Sequence, residues 1–192
     1  MSYDVYNIHD MIDTIGEEEL QSLLSEFSCP KNAEIESLVR YKAIDLAKRK
    51  AAITYLIMDC NGSIAGMFAL THKSITVTAP GFSASMRKRL ARYSHYDAAS
   101  DTYTASSFLI AQFGKNYAPD APDISGDYMM DCAIETLQAA HRLIGGGVVY
   151  LECEESIPRL KDFYGSEHNR FVEFGFRLSD SATLYRQMMR IL

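Results

Sequence analysis

A helical repeat of apolar positions is the first pattern in the chain. Between Asn32 and Lys50, apolar residues recur every three or four positions, as on one face of an amphipathic helix. They are Ile35, Leu38, Val39, Ala43, Leu46 and Ala47. Asn32 is a suitable N-cap, and acidic residues precede basic ones along the segment, which suits the helix dipole. The pattern predicts a helix over residues 32–50.

Two strand-like runs follow this helix. Ala52 to Met58 and Ser63 to Leu70 are rich in β-branched and aromatic residues, and they flank the dipeptide Asn61-Gly62. Such a dipeptide between two runs is a strong hairpin signal, because both residues tolerate the left-handed conformation of tight turns. The pattern predicts an antiparallel pair, whose second strand continues to Val77.

The next segment, residues 79–104, resembles an insertion or lid over the sheet. From Ser83 to Tyr93 the chain is polar and basic, and Met86, Leu90 and Tyr93 share one face of a predicted helix. Ser94 to Asp101 is rich in polar residues and small residues, and it is predicted to be a loop.

The remainder alternates strands and helices. Predicted strands are Ala105–Phe113, Val148–Cys153, Phe171–Phe176 and Ala182–Met189, and predicted helices are Gly126–Leu143 and Ile157–Tyr164. Three glycines from Gly145 end the long helix. This order predicts an α/β fold whose mixed sheet of six or seven strands is covered by helices on both faces. We expect one domain over residues 1–192, with residues 1–26 as an acidic N-terminal extension.

Charge is distributed unevenly along the 192 residues. The formal net charge is −6, but residues 1–39 hold nine acidic groups and one basic group, so the remainder carries +2. The acidic total therefore does not exclude an RNA ligand for the rest of the chain. We expect the acidic leading segment, with Glu17 to Glu19, to lie apart from any bound phosphate. The basic cluster Arg87, Lys88, Arg89 and Arg92 is interpreted as a solvated helix face or as a patch for an anion.

Several classes of protein do not fit this composition. Hydrophobic residues make up 47% of the chain, which argues against a largely disordered protein. No apolar run is long enough for a membrane span and no signal peptide is apparent, so a cytoplasmic protein is expected. The four cysteines form no Cys-x-x-Cys pair and the five histidines no ligand-spaced pair, so no metal site is predicted.

One loop and the helix after it suggest a phosphate ligand. Ser125 and Gly126 begin the long predicted helix, where free amide groups and the positive end of the dipole attract phosphate oxygens. A glycine before a helix is more often only a cap, so this feature is weak by itself. The implied ligand carries a pyrophosphate.

At the carboxyl end the chain resembles the GNAT superfamily of acetyl-CoA-dependent N-acetyltransferases. A helix ending in Phe163-Tyr164 precedes a short loop, and Gly175-Phe176 follows within the next strand. Phe27, Ser28 and Cys29 before the first predicted helix are similar to a bacterial subgroup that opens with Phe-x-Cys. The resemblance covers about residues 27–190. It implies the GNAT fold, with a splayed pair of parallel strands, and acetyl-CoA as cosubstrate.

The resemblance also implies which residues bind acetyl-CoA. The strand from Phe108, with Leu109, Ile110, Ala111 and Gln112, would offer its backbone to the pantetheine arm. The pyrophosphate would contact Ile124, Ser125, Gly126, Asp127 and Tyr128. The family pattern has a Gln or Arg and an earlier Gly where this chain has Ala121 and Ile124. We expect Lys115 and the helix amides to compensate for that departure.

For the reaction, the resemblance implies Tyr164 as the general acid that protonates the departing thiolate. The alternative is a tyrosine that only packs the helix on the sheet. Glu154, or Glu152 on the same strand face, is a candidate base acting through water. The alternative for both is an exposed carboxylate that is only solvated. A Cys153–His168 acyl-enzyme pair is a weaker alternative.

The acceptor is less constrained than the cofactor. The expected activity is direct transfer of acetyl to a primary amine of a small molecule or peptide. A toxin acting on aminoacyl-tRNA, and a non-catalytic module that binds CoA or a protein, are the alternatives. No membrane partner is expected, and a homodimer stays open.

Overall fold

A computed structural model describes residues 2–192 as eight strands and seven α-helices. The strands are β1 (Tyr3–Asn7), β2 (Ile53–Asp59), β3 (Ile64–Thr78), β4 (Ser94–Asp97), β5 (Thr102–Lys115), β6 (Val148–Glu154), β7 (Val172–Leu178) and β8 (Leu184–Ile191). The helices are α1 (Ile8–Ile15), α2 (Glu17–Ser25), α3 (Ala33–Ser37), α4 (Ala43–Lys48), α5 (Ala84–Leu90), α6 (Gly126–Ile144) and α7 (Pro158–Tyr164). Within residues 2–192, no helix is both long and apolar enough to cross a membrane.

The strands form a mixed sheet in which β5 and β6 are parallel. The chain divides into two compact units, Met1–Thr71 with Ile110–Ile134, and His72–Leu109 with Glu135–Leu192. In the first unit β1, β2 and β3 are adjacent; in the second the order is β3, β5, β6, β8, β7, with β4 beside β5. The predicted α/β class is confirmed, but the count of six or seven strands was too low because β1 and β4 were not predicted.

The leading acidic residues form elements that the hydrophobic pattern did not indicate. β1 pairs antiparallel with β2, so that Tyr3 lies opposite Asp59. α1 and α2 bury Ile8, Leu20 and Leu24 completely in the core of the first unit. Short amphipathic helices with many exposed carboxylates therefore account for much of the acidic charge in this part of the chain.

The segment from Ser94 was predicted to be a loop, and this is wrong for its first part. Residues 94–97 form β4, which pairs antiparallel with β5 and places Ser94 opposite Ala105. The rings of Tyr96 and Tyr103 lie 4.8 Å apart, and the Tyr96 hydroxyl donates to Asp101 at 2.7 Å. The hydrophobic pattern does not indicate this strand, because three of its four side chains are exposed and it lacks a buried apolar face.

The predicted hairpin is confirmed as β2 and β3, with Ile53 opposite Leu70. Its loop is longer than a two-residue turn. Gly62 adopts the left-handed region with φ 82°, and Asp59 Oδ1 accepts the backbone N–H groups of Asn61 and Ser63, both at 2.9 Å. An aspartate side chain therefore closes the turn that Asn61-Gly62 predicted.

In the first unit the predicted helix over residues 32–50 is confirmed with one modification. Asn32 Oδ1 accepts the N–H groups of Glu34 and Ile35 as the N-cap, and a π-helical stretch, Leu38–Lys42, separates α3 from α4. Helices α1 to α4 pack on one face of β2 and β3 around Phe27, Val39 and Leu56.

The start of α6 packs on the strands of the first unit at a point where no side chain intervenes. A Cβ atom added to Gly66 on β3 would lie 2.8 Å from Met129 Cε and 3.2 Å from the Gly114 carbonyl oxygen. Glycine at residue 66 therefore lets α6 approach β3 closely.

The second unit has its own core on the face that α5 covers. Leu90, Tyr150 and Met189 are buried there, and Met86 and Tyr93 pack against them. This confirms the apolar face predicted for residues 83–93. On the opposite face, the end of α7 approaches β8, where a Cβ on Gly165 would lie 3.7 Å from Met188 Cε.

Candidate functional site

The residues predicted to bind the cofactor lie on the second half of β5 and at the start of α6, and one side chain fixes the end of β5. Asn116 Oδ1 accepts the backbone N–H of Ser28 at 2.9 Å, while its Nδ2 donates to the carbonyl of Ile64 at 2.8 Å. Its own N–H donates to the carbonyl of Ala65. Asn116 therefore ties the end of β5 to β3 and to the segment before α3. Sequence reasoning missed this residue, because an asparagine after a strand normally indicates only a turn.

The predicted pyrophosphate residues lie at the start of α6, a helix of 19 residues. Ser125 Oγ accepts the N–H of Tyr128 at 3.1 Å, so the serine is an N-cap as well as a candidate ligand. The side chains of Ser125, Asp127 and Tyr128 are exposed, whereas that of Ile124 is buried. Ile124 can therefore contact a ligand through its backbone but not through its side chain.

Charge at this helix start is mixed. Lys115 Nζ lies 3.6 Å from Asp123 Oδ1, in a pair whose aspartate is fully exposed. The exposed pair is weak, so a phosphate could replace Asp123 as the partner of Lys115. Asp127 adds a negative charge in the first turn and opposes an anion there. The helix amides and Lys115 nevertheless form a donor set that fits a pyrophosphate.

The leading strand contributes to this segment through an aromatic residue. The ring centroids of Tyr3 and Tyr128 lie 5.6 Å apart, and the Tyr3 hydroxyl donates to the carbonyl of Asp123. Glu17, by contrast, pairs with Lys48 at 2.7 Å. Tyr3 carried no signal in the sequence, because β1 itself was not predicted.

In the second unit, Tyr164 ends α7 and is 7% exposed. Its ring lies 5.0 Å from that of Phe163 and 6.2 Å from that of Phe171, both edge-on. Burial raises the pKa of Tyr164 above its ordinary value, and the nearby Cys153 raises it further. The phenol therefore stays protonated at neutral pH, as a general acid must.

The two candidate bases on β6 have different surroundings. Glu152 accepts two hydrogen bonds from Arg177 Nε, at 2.8 and 3.0 Å, and one from Nη2 at 2.6 Å. Gln187 Nε2 donates to it at 2.8 Å. Burial acts to raise the pKa of Glu152, but the hydrogen bonds and charge of Arg177 outweigh it, so the pKa is lowered. The carboxylate of Glu154, at the end of the strand, accepts the Ser156 hydroxyl at 3.3 Å.

A covalent route through Cys153 is not supported by its surroundings. Burial raises the pKa of the Cys153 thiol, and its side chain is 4% exposed. A buried neutral thiol is a poor nucleophile. His168, the proposed base, is exposed at the surface. Across residues 2–192, no three His, Cys, Asp or Glu side chains are grouped as a metal site requires.

Solved structures with the same fold supply a comparison. The toxin AtaT complexed with acetyl-methionyl-tRNAfMet matches with a TM-score of 0.63 and 10% identity, over 96% of this chain and 94% of that one. A tyrosine-to-phenylalanine variant of AtaT, bound to the C-terminus of the antitoxin AtaR and acetyl-CoA, has a TM-score of 0.60 and 11% identity, over 100% and 94%. A chain of the NatC complex bound to Gag peptide and CoA has a TM-score of 0.53 and 14% identity, over 100% and 99%.

These matches concern the fold, since their sequence identities are low. No protein-family model matches the sequence, and no curated protein sequence matches it significantly. The chain has the GNAT fold, in agreement with its parallel β5–β6 pair and the resemblance at its carboxyl end. A shared fold does not by itself define an activity.

Proposed function

We propose that the chain is an acetyl-CoA-dependent N-acetyltransferase that transfers acetyl directly to a primary amine in a ternary complex. The observation that carries the proposal is the match of the whole chain to a toxin structure that contains acetyl-CoA. The match to a NatC chain in a complex with CoA and a peptide adds support from a second protein. The donor groups at the start of α6 and the protonated, buried Tyr164 are consistent with this activity.

Cofactor binding is assigned to the first unit and to Leu109 at its boundary. The backbone of Leu109, Ile110, Ala111 and Gln112 contacts the pantetheine arm. Exposed Ser125 and Tyr128, with the backbone amides of Ile124, Gly126 and Asp127, contact the pyrophosphate at the positive end of α6. When the cofactor binds, Lys115 exchanges its ion pair with Asp123 for one with the phosphate.

The chemistry is assigned to two groups of the second unit. The acceptor nitrogen attacks the thioester carbonyl carbon, the carbon–sulfur bond breaks, and the thiolate takes the phenol proton of Tyr164. Glu154 accepts the proton that the acceptor nitrogen loses, through a water molecule, and solvent then restores both groups. Glu152 is less suited to this role, because Arg177 and Gln187 already occupy its oxygens.

A second candidate is acetylation of aminoacyl-tRNA. The match to AtaT complexed with acetyl-methionyl-tRNAfMet favours it, although AtaT is only 10% identical. Arg87 on α5 and Arg92 just after it are exposed basic residues that would suit a phosphate backbone. This candidate predicts growth arrest on expression and acetylated tRNA as the product.

A third candidate is a non-catalytic module that binds CoA or a protein. The departure from the family pattern at Ala121 and Ile124, together with the Lys115–Asp123 pair, favours it. Such a module would bind CoA without any turnover of amines or charged tRNA.

Thermal unfolding with and without CoA tests the cofactor assignment. At a CoA concentration about 100-fold above Kd, the melting temperature should rise by about 5–10 °C. Ser125→Ala should reduce the shift, whereas Tyr41→Ala, at another exposed residue of the first unit, should leave it unchanged. A wild-type protein that CoA does not stabilise would refute the assignment.

A screen of acceptors by mass spectrometry tests the activity. Small amines, peptides with free amino termini and charged tRNA are incubated with acetyl-CoA, and an added acetyl group is sought on each. Acetylation of amines or peptides supports the leading candidate, and acetylation of charged tRNA alone supports the second. Stabilisation by CoA without any product supports the third.

A further inference from the structure

A cleft of about 570 Å³ opens in the second unit and belongs to none of the groups assigned so far. The residues before and along α5 form one wall, and the first residues of β7 with the last residues of β8 form the other. A volume of this size suits a ligand as large as a nucleotide, since small-molecule sites measure about 300–1,000 Å³.

Three arginines line this cleft, and neutral backbone carbonyls orient their guanidinium groups. Arg89 Nη2 donates to the carbonyl of Ile191 at 3.1 Å, and Arg190 Nη1 to that of Asn169 at 3.1 Å. Arg170 Nε donates to the carbonyl of Glu167 at 2.9 Å. A carbonyl fixes a guanidinium in place without cancelling its charge. Within residues 2–192, neither Arg89 nor Arg170 pairs with a carboxylate.

The carboxylate of Glu173 also lines the cleft. It forms ion pairs with Arg186 and with Lys161, neither of which lines the cleft. The negative charge of Glu173 is therefore matched by residues outside. Arg89 and Arg170 therefore give this part of the cleft a positive charge, which favours an anion.

Apolar side chains also line the cleft, and they favour an anion that has an apolar part. Phe82, Met86 and Val172 line the cleft beside the arginines, and Val172 is 40% exposed. A bare inorganic ion would leave this apolar surface in contact with water. A ligand with both a phosphate and a flat or apolar body would cover it.

The cleft lies at the opposite end of β6 from the candidate base. Ile191, which lines the cleft, pairs with Val148 at the start of β6, and Glu154 is six residues further along the strand. Six residues of a strand span about 20 Å. The cleft is therefore a site separate from Glu154.

We infer that this cleft binds a nucleoside phosphate, with Arg89, Arg170 and Arg190 around the phosphate and Phe82, Met86 and Val172 against the base or sugar. The nucleoside phosphate is either a free nucleotide or one nucleotide of an RNA strand. The inference does not depend on acetyl transfer, and its test measures binding alone.

The test uses the full chain saturated with CoA. CoA then occupies the proposed cofactor site, so that a nucleotide bound there does not contribute to the signal. Binding of cytidine monophosphate is measured by calorimetry, and binding of a short labelled RNA by fluorescence polarisation. Arg89→Gln and Arg170→Asn remove one charge each from the cleft; asparagine suits residue 170, whose φ is 60°. Lys88→Gln is the matched control, because Lys88 is exposed on the same helix but does not line the cleft.

Each arginine variant should weaken binding by about tenfold or more, as expected for a lost charge-assisted hydrogen bond. The lysine variant should change it by less than about twofold. Binding of both probes indicates a free nucleotide or an RNA end, and binding of RNA alone indicates an internal nucleotide of a strand. If Arg89→Gln fails to fold, Arg170→Asn and Lys88→Gln still form a complete comparison.

Three outcomes would overturn the inference. The first is that neither probe binds the wild-type protein at millimolar concentration. The second is an equal loss in the lysine and arginine variants, which indicates diffuse attraction by the basic surface. The third is arginine-dependent binding of an acidic peptide when neither phosphate probe binds, which indicates a protein partner.

Discussion

The carboxylate of Glu36 accepts the backbone N–H of Cys29 at 2.6 Å, seven residues earlier in the chain. Glu36 also lies 3.4 Å from Arg40, and Arg40 Nε donates to the carbonyl of Phe27 at 2.7 Å. Two side chains of the helix thus hold the Phe-Ser-Cys segment that precedes it. In this protein the Phe-x-Cys residues have a structural explanation, since Phe27 is fully buried and Cys29 nearly so.

Replacing Glu36 by glutamine should lower the melting temperature in a pH-dependent way. The hydrogen bond from Cys29 is the largest cause that lowers the pKa of Glu36 below its ordinary value of 4.5. A lowered pKa stabilises the fold above that ordinary value, and the stabilisation is lost as the pH falls through the folded-state pKa. The difference in melting temperature between wild type and variant should therefore be largest near neutral pH and vanish in acid.

Glu34→Gln is the control for this experiment, because Glu34 is exposed on the same helix. Its effect should be small at every pH, as for a carboxylate that interacts mainly with the helix dipole. If Glu36→Gln and Glu34→Gln gave the same melting temperatures across the pH range, the role of the Cys29 contact would be refuted.

The long elements with a buried apolar face could be predicted from the sequence. The helices α1 and α2 also bury apolar residues but were not predicted, because eight and nine residues give a helical repeat few turns in which to appear. The β2–β3 hairpin and α6 carry long apolar patterns, and both were predicted within a few residues. β4 exposes most of its side chains, so only its pairing with β5 reveals it. Asn116 is a similar case in the site, because its partners Ser28, Ile64 and Ala65 come from segments distant in the sequence and no local pattern connects them.

Gly66→Ala should destabilise the protein by about 1–3 kcal/mol, as overpacking of a core does. The new methyl group would lie 2.8 Å from Met129 Cε and 3.2 Å from the carbonyl oxygen of Gly114, and the backbone atom has little freedom to move. Because Met129 belongs to the first turns of α6, the same change should weaken CoA binding. Urea unfolding and calorimetry measure the two effects.

Gly81→Ala is a matched control, since nothing lies within 4 Å of a Cβ added there. It should leave the free energy of unfolding nearly unchanged. Adding Met129→Ala to Gly66→Ala should cost less than the two single changes together, because the shorter side chain makes room for the methyl group. If the free-energy costs of the two changes simply added, the contact with Met129 would not be what restricts the side chain at residue 66.

Glu154→Gln should lower turnover more than Glu152→Gln does. Glu154, the proposed base, is half-buried at the end of β6, where its carboxylate accepts the Ser156 hydroxyl. Glu152 is held by Arg177 and Gln187, which lower its pKa and make it a weaker base. Loss of a general base typically reduces the rate by about 100-fold or more.

Turnover and melting temperature measured together separate a base from a residue that only supports the fold. Glu154→Gln should lower kcat with the melting temperature nearly unchanged, whereas Glu152→Gln should lower the melting temperature, because it weakens the contacts with Arg177 and Gln187. An unchanged kcat in Glu154→Gln, or a greater loss of turnover in Glu152→Gln, would reverse the assignment.

Tyr164→Phe should reduce turnover by about 100-fold to 10,000-fold while leaving CoA affinity and the melting temperature nearly unchanged. The substitution removes only the phenolic oxygen from a buried ring that packs edge-on to Phe163 and Phe171. Because burial raises the pKa of Tyr164, its proton should be retained up to at least about pH 10, the ordinary tyrosine value. An alkaline loss of activity below that pH must therefore come from another group.

Tyr150→Phe provides the comparison that distinguishes acid catalysis from packing. Tyr150 is also buried in the second unit, and desolvation raises its pKa to about 12, yet it belongs to the core on the α5 side of β6. Its replacement should leave turnover within about twofold of the wild type, since no proton transfer is assigned to it. Equal losses in the two variants would show that buried tyrosines here support the fold alone. Full activity in Tyr164→Phe would remove the phenol from the reaction and leave the departing thiolate to be protonated by solvent.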